Sequence, residues 1–399
     1  MLGRIYNNIK GDKYIWYIVL ALNAISLLLV YSSTRALAYK NEEDTEYYLL
    51  RHSFMLLMGL FITYQVHRID HRYFSRLAQM MLIISIPLLI YTMFFGVRIN
   101  DASRWVRIPG IGFTFQSSDF AKLALLMYTS RMLSKKIGVI KDFKEVLKHI
   151  MLPIVGICAL IMVNNLSSAG ILFVTCMIVL FIGRVSMKFL LSIVGGGMIM
   201  VAVVFAYSWF LKEDHGRADV WLSRIESWQN PDEQSDDFYQ QKQAYIAIAK
   251  GGFFRLAPGG STQCNFLPDA FSDFIYATLI EEYGLIGGAF VLFLYLFFFY
   301  RIIVLIKKSP RAFGALMAVG LGTSISLQAV IHMGVNVHLL PNTGITLPLI
   351  SWGGTSILFN AFAMGIILSV SRDVEERTAA QQSVSGKPPK KQVVEAIHG

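Results

Sequence analysis

Charged side chains are scarce in this chain: 16% of its 399 residues, against 55% that are hydrophobic. A soluble globular domain carries charge on about a quarter of its residues, so that class is excluded and a polytopic membrane protein is indicated. Cysteine is scarcer still. Cys158, Cys176 and Cys264 show no metal-ligand spacing. The first two fall in apolar runs, where they behave as small hydrophobes, so no disulfide framework is expected. A cleavable leader is not expected either. The apolar run that begins near Tyr14, after Arg4, Lys10 and Lys13, is too long for a signal-peptide core and reads as a retained first span. The net charge of +10 does not indicate nucleic acid, because the basic residues come in short blocks between apolar runs, as in the loops of membrane proteins.

Segments near the length of about 20 residues that crosses a bilayer lie at 14–34, 49–66, 77–95, 113–132, 149–163, 169–183, 189–211, 273–306, 313–333 and 343–371. The reading is therefore an all-α polytopic membrane protein with about ten transmembrane helices. Nine is the alternative, because 149–163 and 169–183 are short and only Asn164-Asn165-Leu166-Ser167-Ser168 signals a turn between them. With the N-terminus inside, 23 of the 36 Lys and Arg residues fall in inner segments and 12 in outer ones, with Lys122 inside a span. That asymmetry predicts cytoplasmic termini and a large extracytoplasmic loop at about 212–270, between spans 7 and 8. Residues 1–372 form the membrane domain. The polar run 373–399 cannot bury enough surface to fold alone and is expected to be a disordered cytoplasmic tail.

Four constellations could carry chemistry. Arg98, Arg104 and Arg107 crowd a short outer loop against the positive-inside trend, and a guanidinium fork suits a phosphate or pyrophosphate. Nearby Asp119 and Lys122, three apart on a helix, share a face and can pair; mutual neutralisation is as good a reading as function. The outer loop offers Arg217, Arg224, Gln243 and Tyr245 before Gly251-Gly252, a composition that suits a sugar-lined groove and equally an ordinary solvated loop. Asp273, in Leu267-Pro268-Asp269-Ala270-Phe271-Ser272-Asp273, sits where an apolar helix begins. A helix N-terminus favours its ionised form and a low pKa, and capping is the commoner job for Asp there. Glu281 and Glu282 lie deeper, do not share its face, and are read as braces between helices. Finally, two prolines and three glycines interrupt the run from Leu340 to Ser356, predicting a broken helix that lines a wet cavity with Ser351, Thr355 and Ser356. His332 and His338, like His67 and His71, read as interfacial polar residues.

Together these constellations resemble the SEDS family of shape, elongation, division and sporulation proteins, which includes FtsW, RodA and SpoVE. The resemblance spans residues 10–372 and is carried by SRWVRIPGIGFTFQSSDFAK, LPDAFSDFIYATLIEEYGLIG and NTGITLPLISWGGTS in the family's order. It departs at Arg255 and Ala257, where Gly-rich turns are expected, and at Asn164-Asn165, where a Pro-acidic pair is commoner. Trp352 stands in place of Tyr, and Asp119 in place of Glu.

The resemblance implies a peptidoglycan glycosyltransferase of the bacterial cytoplasmic membrane. Its substrate would be lipid II, an undecaprenyl-pyrophosphate disaccharide peptide. A class B penicillin-binding transpeptidase and divisome proteins would be its partners, and the division branch is favoured over the elongation branch. On that reading Asp273 is the general base. Arg104, Lys122 and one of Arg217 or Arg224 neutralise the leaving pyrophosphate, with a divalent cation, Mg or Mn, as a further candidate, and Asp119, Gln243 and Ser351 complete the substrate-binding set. The competing readings are a lipid II flippase and a non-catalytic scaffold that activates a transpeptidase.

Overall fold

The computed structural model describes residues 10–99, 102–107, 114–135, 143–211, 221, 224, 226–229 and 236–384. Arg217, much of the 212–235 loop and the 385–399 part of the tail lie outside them.

Helices dominate because backbone polar groups in lipid must be satisfied within the segment. In chain order they are α1 (Lys13–Ser33), the short α2 (Arg35–Lys40), α3 (Thr45–Arg68), α4 (His71–Phe95), α5 (Ser117–Lys135), α6 (Phe143–Val146), a π-helical turn (Leu147–Met151), α7 (Leu152–Met162), α8 (Leu166–Ile182), α9 (Met187–Leu211), α10 (Asp236–Gly251), α11 (Ile275–Lys308), α12 (Ala312–Asn336) and α13 (Thr355–Val384). Several starts are set by side-chain caps. Asp12 accepts from Tyr14 N at 2.9 Å, Asp70 from Arg72 N at 2.9 Å, and Asn165 from Ser168 N at 3.0 Å, each satisfying an N–H that the helix leaves unpaired.

Among the described residues, seven helices are long and apolar enough to cross a membrane. The apolar α8 and α9 supplement them, as does α5, whose sequence carries Asp119, Lys122, Arg131 and Lys135. Each of the ten sequence segments thus falls on a helix, and Asn165 does start a separate α8. Three boundaries move. α11 begins at Ile275, so Asp273 precedes the span. The last helix begins at Thr355, leaving 340–354 irregular, as the broken-helix reading expected. That helix also continues past 372 to Val384, beyond the boundary drawn for the tail.

α12 is the centre of the bundle: 72% of its apolar window is buried, against 33% for α3, α4 and α11, whose other faces are left for lipid. Close approach to α12 requires glycine, since a Cβ on Gly322 would stand 2.6 Å from Ile302 Cγ1. At one end of the bundle, between α4 and α5, an antiparallel sheet in the order β1 (Val97–Ile99), β2 (Ala102–Arg107), β3 (Thr114–Gln116) replaces the expected loop, with Trp105 opposite Gln116.

α11 is broken. Its 34 residues would reach about 51 Å at 1.5 Å per residue, well beyond a hydrocarbon core of about 30 Å. Gly284, at φ 69°, leaves helical geometry inside it, and the chain from Gly252 to Ala257 fills the gap. Leu285 N donates to Gly252 O at 3.0 Å and Ala257 N to Glu282 O at 2.9 Å. A short segment, 275–283, therefore stands apart from the spanning segment 285–308.

Candidate active site

The turn before α11 folds around Asp269. Its φ of 54° is left-handed, and its carbonyl accepts from Ser272 N at 2.9 Å and Asp273 N at 3.0 Å. The turn is then gripped from both sides. Asn336, the last residue of α12, donates to the Asp273 carbonyl at 3.0 Å. Ser351 Oγ donates to the Ser272 carbonyl at 2.8 Å while accepting from Leu347 N at 2.8 Å. Trp352 N donates to the Phe271 carbonyl at 3.0 Å, and its ring packs between Phe271 and Tyr48. The irregular run 340–354 is thus one jaw of a clamp. Gly344, at φ 60°, lies beside the carboxylate: a Cβ there would be 3.7 Å from Asp273 Oδ2.

Asp273 does not cap α11. The residue in the capping position is Phe274, which offers no side-chain bond, and Ala277 N is shared between the Phe274 carbonyl at 3.0 Å and Asn336 Oδ1 at 3.1 Å. The carboxylate is free for other work. Nor is its pKa low, as the helix terminus suggested. Desolvation by the protein atoms crowded around this half-buried residue, reinforced by the neighbouring Asp269, pushes it up to about 6, against the opposing pull of the Ser272 hydroxyl, Arg104 and Arg224. Desolvation outweighs the dipole of a segment as short as 275–283.

The same electrostatics place Arg104 and Arg224 within range of Asp273. Arg104 is anchored, its Nε donating to the Asn164 carbonyl at 3.1 Å, so the Asn164-Asn165 turn contributes a carbonyl to the site. Asp119 and Lys122 pair at 2.6 Å in a separate small cavity of about 40 Å³ that Ser324, Gln328, Ser356 and Asn360 also line. It is coupled to the clamp through Gln116 N, which donates to Thr355 Oγ1 at 3.3 Å. Gln243 is half-buried on α10, which packs on α11. Ser351 has its hydroxyl engaged in the clamp.

Glu281 and Glu282 are fully buried, but they brace a loop as well as a helix. Glu281 accepts from Thr262 N at 3.0 Å, Gln263 N at 3.2 Å and the Ser261 hydroxyl; Glu282 accepts from Ser261 N at 3.3 Å and from the Ser32 hydroxyl on α1. Arg255 folds the same loop by donating to the Lys250 carbonyl at 3.1 Å. His332, His67 and His71 are buried rather than interfacial. Sequence reasoning passed over Asp269, four residues before Asp273 in the same motif, and over Asn336, whose partners Asp273 and Ala277 are distant in sequence.

For a divalent cation, no group of three or more His, Cys, Asp and Glu gathers among the described residues. Asp269, beside Asp273 in the same turn, still suits an ion of the Mg type, which is bound through one or two carboxylates with phosphates and water completing its shell.

A bundle of apolar helices with a desolvated acid, arginines and a clamped turn at one end defines a multi-pass membrane protein with a polar site at that end. The chain belongs to the FtsW/RodA/SpoVE family, whose model, described as a cell cycle protein, matches residues 12–376. It is 32% identical over 382 residues to a probable peptidoglycan glycosyltransferase FtsW of Nitrosococcus halophilus, covering 94% of this chain and 96% of that one. The FtsW of the same description from Geobacter metallireducens is 30% identical, covering 91% and 95%. In fold the chain is similar to a component of a structure described as the structural coordination of polymerization and crosslinking by a peptidoglycan synthase complex (TM-score 0.69, 24% identity, 91% and 98% covered). It is also similar to the rod shape determining protein RodA of Thermus thermophilus (TM-score 0.63, 23% identity, 91% and 97% covered).

Proposed function

We propose that this protein polymerises lipid II into glycan strands at the outer face of the cytoplasmic membrane during cell division. The relatives at 30% identity and above are described as FtsW, which favours division over elongation. The observation that carries the reading is Asp273: uncommitted to capping, raised to about 6 and attended by Arg104 and Arg224.

Joining two lipid-anchored disaccharides requires removal of a proton from the acceptor hydroxyl as it attacks the donor's anomeric carbon, with departure of a lipid pyrophosphate. A carboxylate with a pKa near 6 is ionised at neutral pH and remains basic enough to take that proton in the transition state. One displacement inverts the anomeric centre. No second carboxylate is needed as acid, since pyrophosphate leaves readily once its charge is met, unlike the sugar oxygen in glycoside hydrolysis. Arg104 and Arg224 supply that charge, Arg217 belongs to the same proposed set, and Lys122, paired with Asp119 in its own cavity, stands apart from it. A divalent cation, Mg or Mn, would add charge neutralisation at the phosphates, with Asp269 as its carboxylate ligand. The acid-bearing end faces outward, both termini are cytoplasmic, and a class B penicillin-binding transpeptidase and divisome proteins are the proposed partners.

The test is polymerisation of lipid II by the purified protein in detergent, alone and with a candidate transpeptidase, where flipping is irrelevant. Glycan chains from wild type, and a loss of about 100-fold or more in Asp273→Asn, are expected, with a chelator reporting on the cation. Wild-type rates in Asp273→Asn would remove the base assignment. Partner binding without product indicates a scaffold, and failure to polymerise even with the partner present shifts the reading to transport.

A further inference from the structure

The Asn336 side chain is enclosed at the end of α12, 1% exposed, with all its polar atoms engaged. Oδ1 accepts from Ala277 N at 3.1 Å. Nδ2 has two protons and three neighbours: the Asp273 carbonyl at 3.0 Å, the His332 carbonyl at 3.0 Å and His332 Nε2 at 3.3 Å. One proton goes to Asp273; the other lies between the two His332 acceptors. An amide NH2 only donates, so Nε2 must present its lone pair and the ring proton must sit on Nδ1. That assignment matches the far side of the ring, where Nδ1 meets the Ile345 carbonyl at 2.7 Å. The neutral Nδ1–H tautomer satisfies all these partners, whereas an imidazolium would set N–H against N–H.

The bonds close a loop in space. Ile345 is tied through His332 and Asn336 to the backbone of Asp273, and Gly344, next to Ile345, flanks the Asp273 carboxylate. The acid is therefore located from its backbone side and its carboxylate side by one network. An aspartate just before a helix normally turns its carboxylate onto the first free N–H groups. Here the N–H of Ala277 is shared between the Phe274 carbonyl of its own turn at 3.0 Å and Asn336 Oδ1 from another helix at 3.1 Å.

We propose that Asn336, held in place by His332, is a positioning residue for Asp273: it ties the Asp273 carbonyl and the first turn of α11 to α12 and so keeps the carboxylate turned toward the substrate. The inference rests on the reading of Asp273 as general base. Without the amide, the Asp273 backbone loses its tie to α12, and the carboxylate turns toward solvent. A carboxylate that regains solvent is a weaker base than a desolvated one, whereas substrate affinity, set by Arg104 and Arg224, is left in place.

The experiment measures polymerisation of lipid II by the full-length protein across a pH series, alongside thermal unfolding of each variant. Asn336→Ala should lower kcat by about 10- to 100-fold, the scale of a small misplacement of a catalytic group. KM should stay within about threefold, and the acid limb of the rate profile should move to lower pH. His332→Asn, whose amide can replace the Nδ1–H donor to Ile345, should retain most activity, while His332→Leu should resemble Asn336→Ala. Wild-type turnover in Asn336→Ala with Asp273→Asn inactive overturns the inference alone. So does a loss that tracks the folded fraction with the acid limb unmoved, since that is all a structural role would give. An active Asp273→Asn overturns the base assignment and this inference with it.

Discussion

Three carboxylates within nine positions of one chain segment take different roles because their surroundings differ. Glu281 takes backbone and hydroxyl donors from the 261–263 loop on both oxygens, and Glu282 takes them on Oε1 from Ser261 N and the Ser32 hydroxyl of α1, so both are committed to structure. Asp273 accepts no such set, and burial rather than bonding governs it. Its raised pKa has a definite sign: below about 6 the carboxyl is protonated and cannot accept the acceptor's proton, and above about 6 it is ionised and competent. The kcat/KM of polymerisation should therefore rise about tenfold per pH unit on the acid side and level off above pH 6 to 7. A limb near 4, the ordinary aspartate range, would show that substrate-free burial does not set this group. Asp273 was visible in the sequence because a polar motif abuts an apolar run. Asn336 was not, since it ends an apolar helix 63 positions away from the carbonyl it holds and nothing in its own neighbourhood announces that partner.

Among elements, the break in α11 has the most specific cause. At Gly284 the backbone sits at φ 69°, and a Cβ would stand 2.8 Å from both Arg255 N and Phe253 O. Gly284→Ala should therefore destabilise the protein by about 1–3 kcal/mol, read as a lower thermal midpoint in detergent, and it should loosen the 252–257 chain, read as faster proteolysis there. An unchanged midpoint and cleavage pattern would mean that the break tolerates a side chain. Helices were legible because about 20 apolar residues in a row admit little else in lipid, and the proline and glycine interruptions correctly marked 340–354 as irregular. The small sheet was not legible: β1 and β3 have three residues each, too few for alternation to register against the arginines around them. The helical break was missed for a related reason, since one glycine in a long apolar run leaves the hydropathy signal intact.

The whole molecule has two differently built ends. At the end carrying both described termini, ion pairs stitch the chain: Asp12 with Arg301 Nε at 2.8 Å, Arg377 with Asp373 at 3.0 Å, Lys10 with Glu376 at 3.0 Å. The opposite end is organised by the sheet, the clamp and the braced loop. The proposed orientation puts this second end outside, and Leu256, 83% exposed, reports on it. Leu256→Cys should react with a membrane-impermeant maleimide in intact cells, while Lys10→Cys should react only after permeabilisation. The native Cys158, Cys176 and Cys264 are all buried and give a quiet background. The reverse pattern would invert the topology.

The interruption at Gly284 also acts as a mechanical joint. Bilayers vary in thickness, and a rigid rod matched to one of them must tilt in another; an acid fixed to the head of such a rod would swing with it. Because 275–283 is moored to α12 through Ala277 and to the braced loop through Glu281 and Glu282, the bearing of the reacting carboxylate is set by those contacts rather than by the tilt of the 285–308 rod. Turnover in vesicles of short- and long-chain lipids should accordingly stay level for the native protein and diverge for Gly284→Ala.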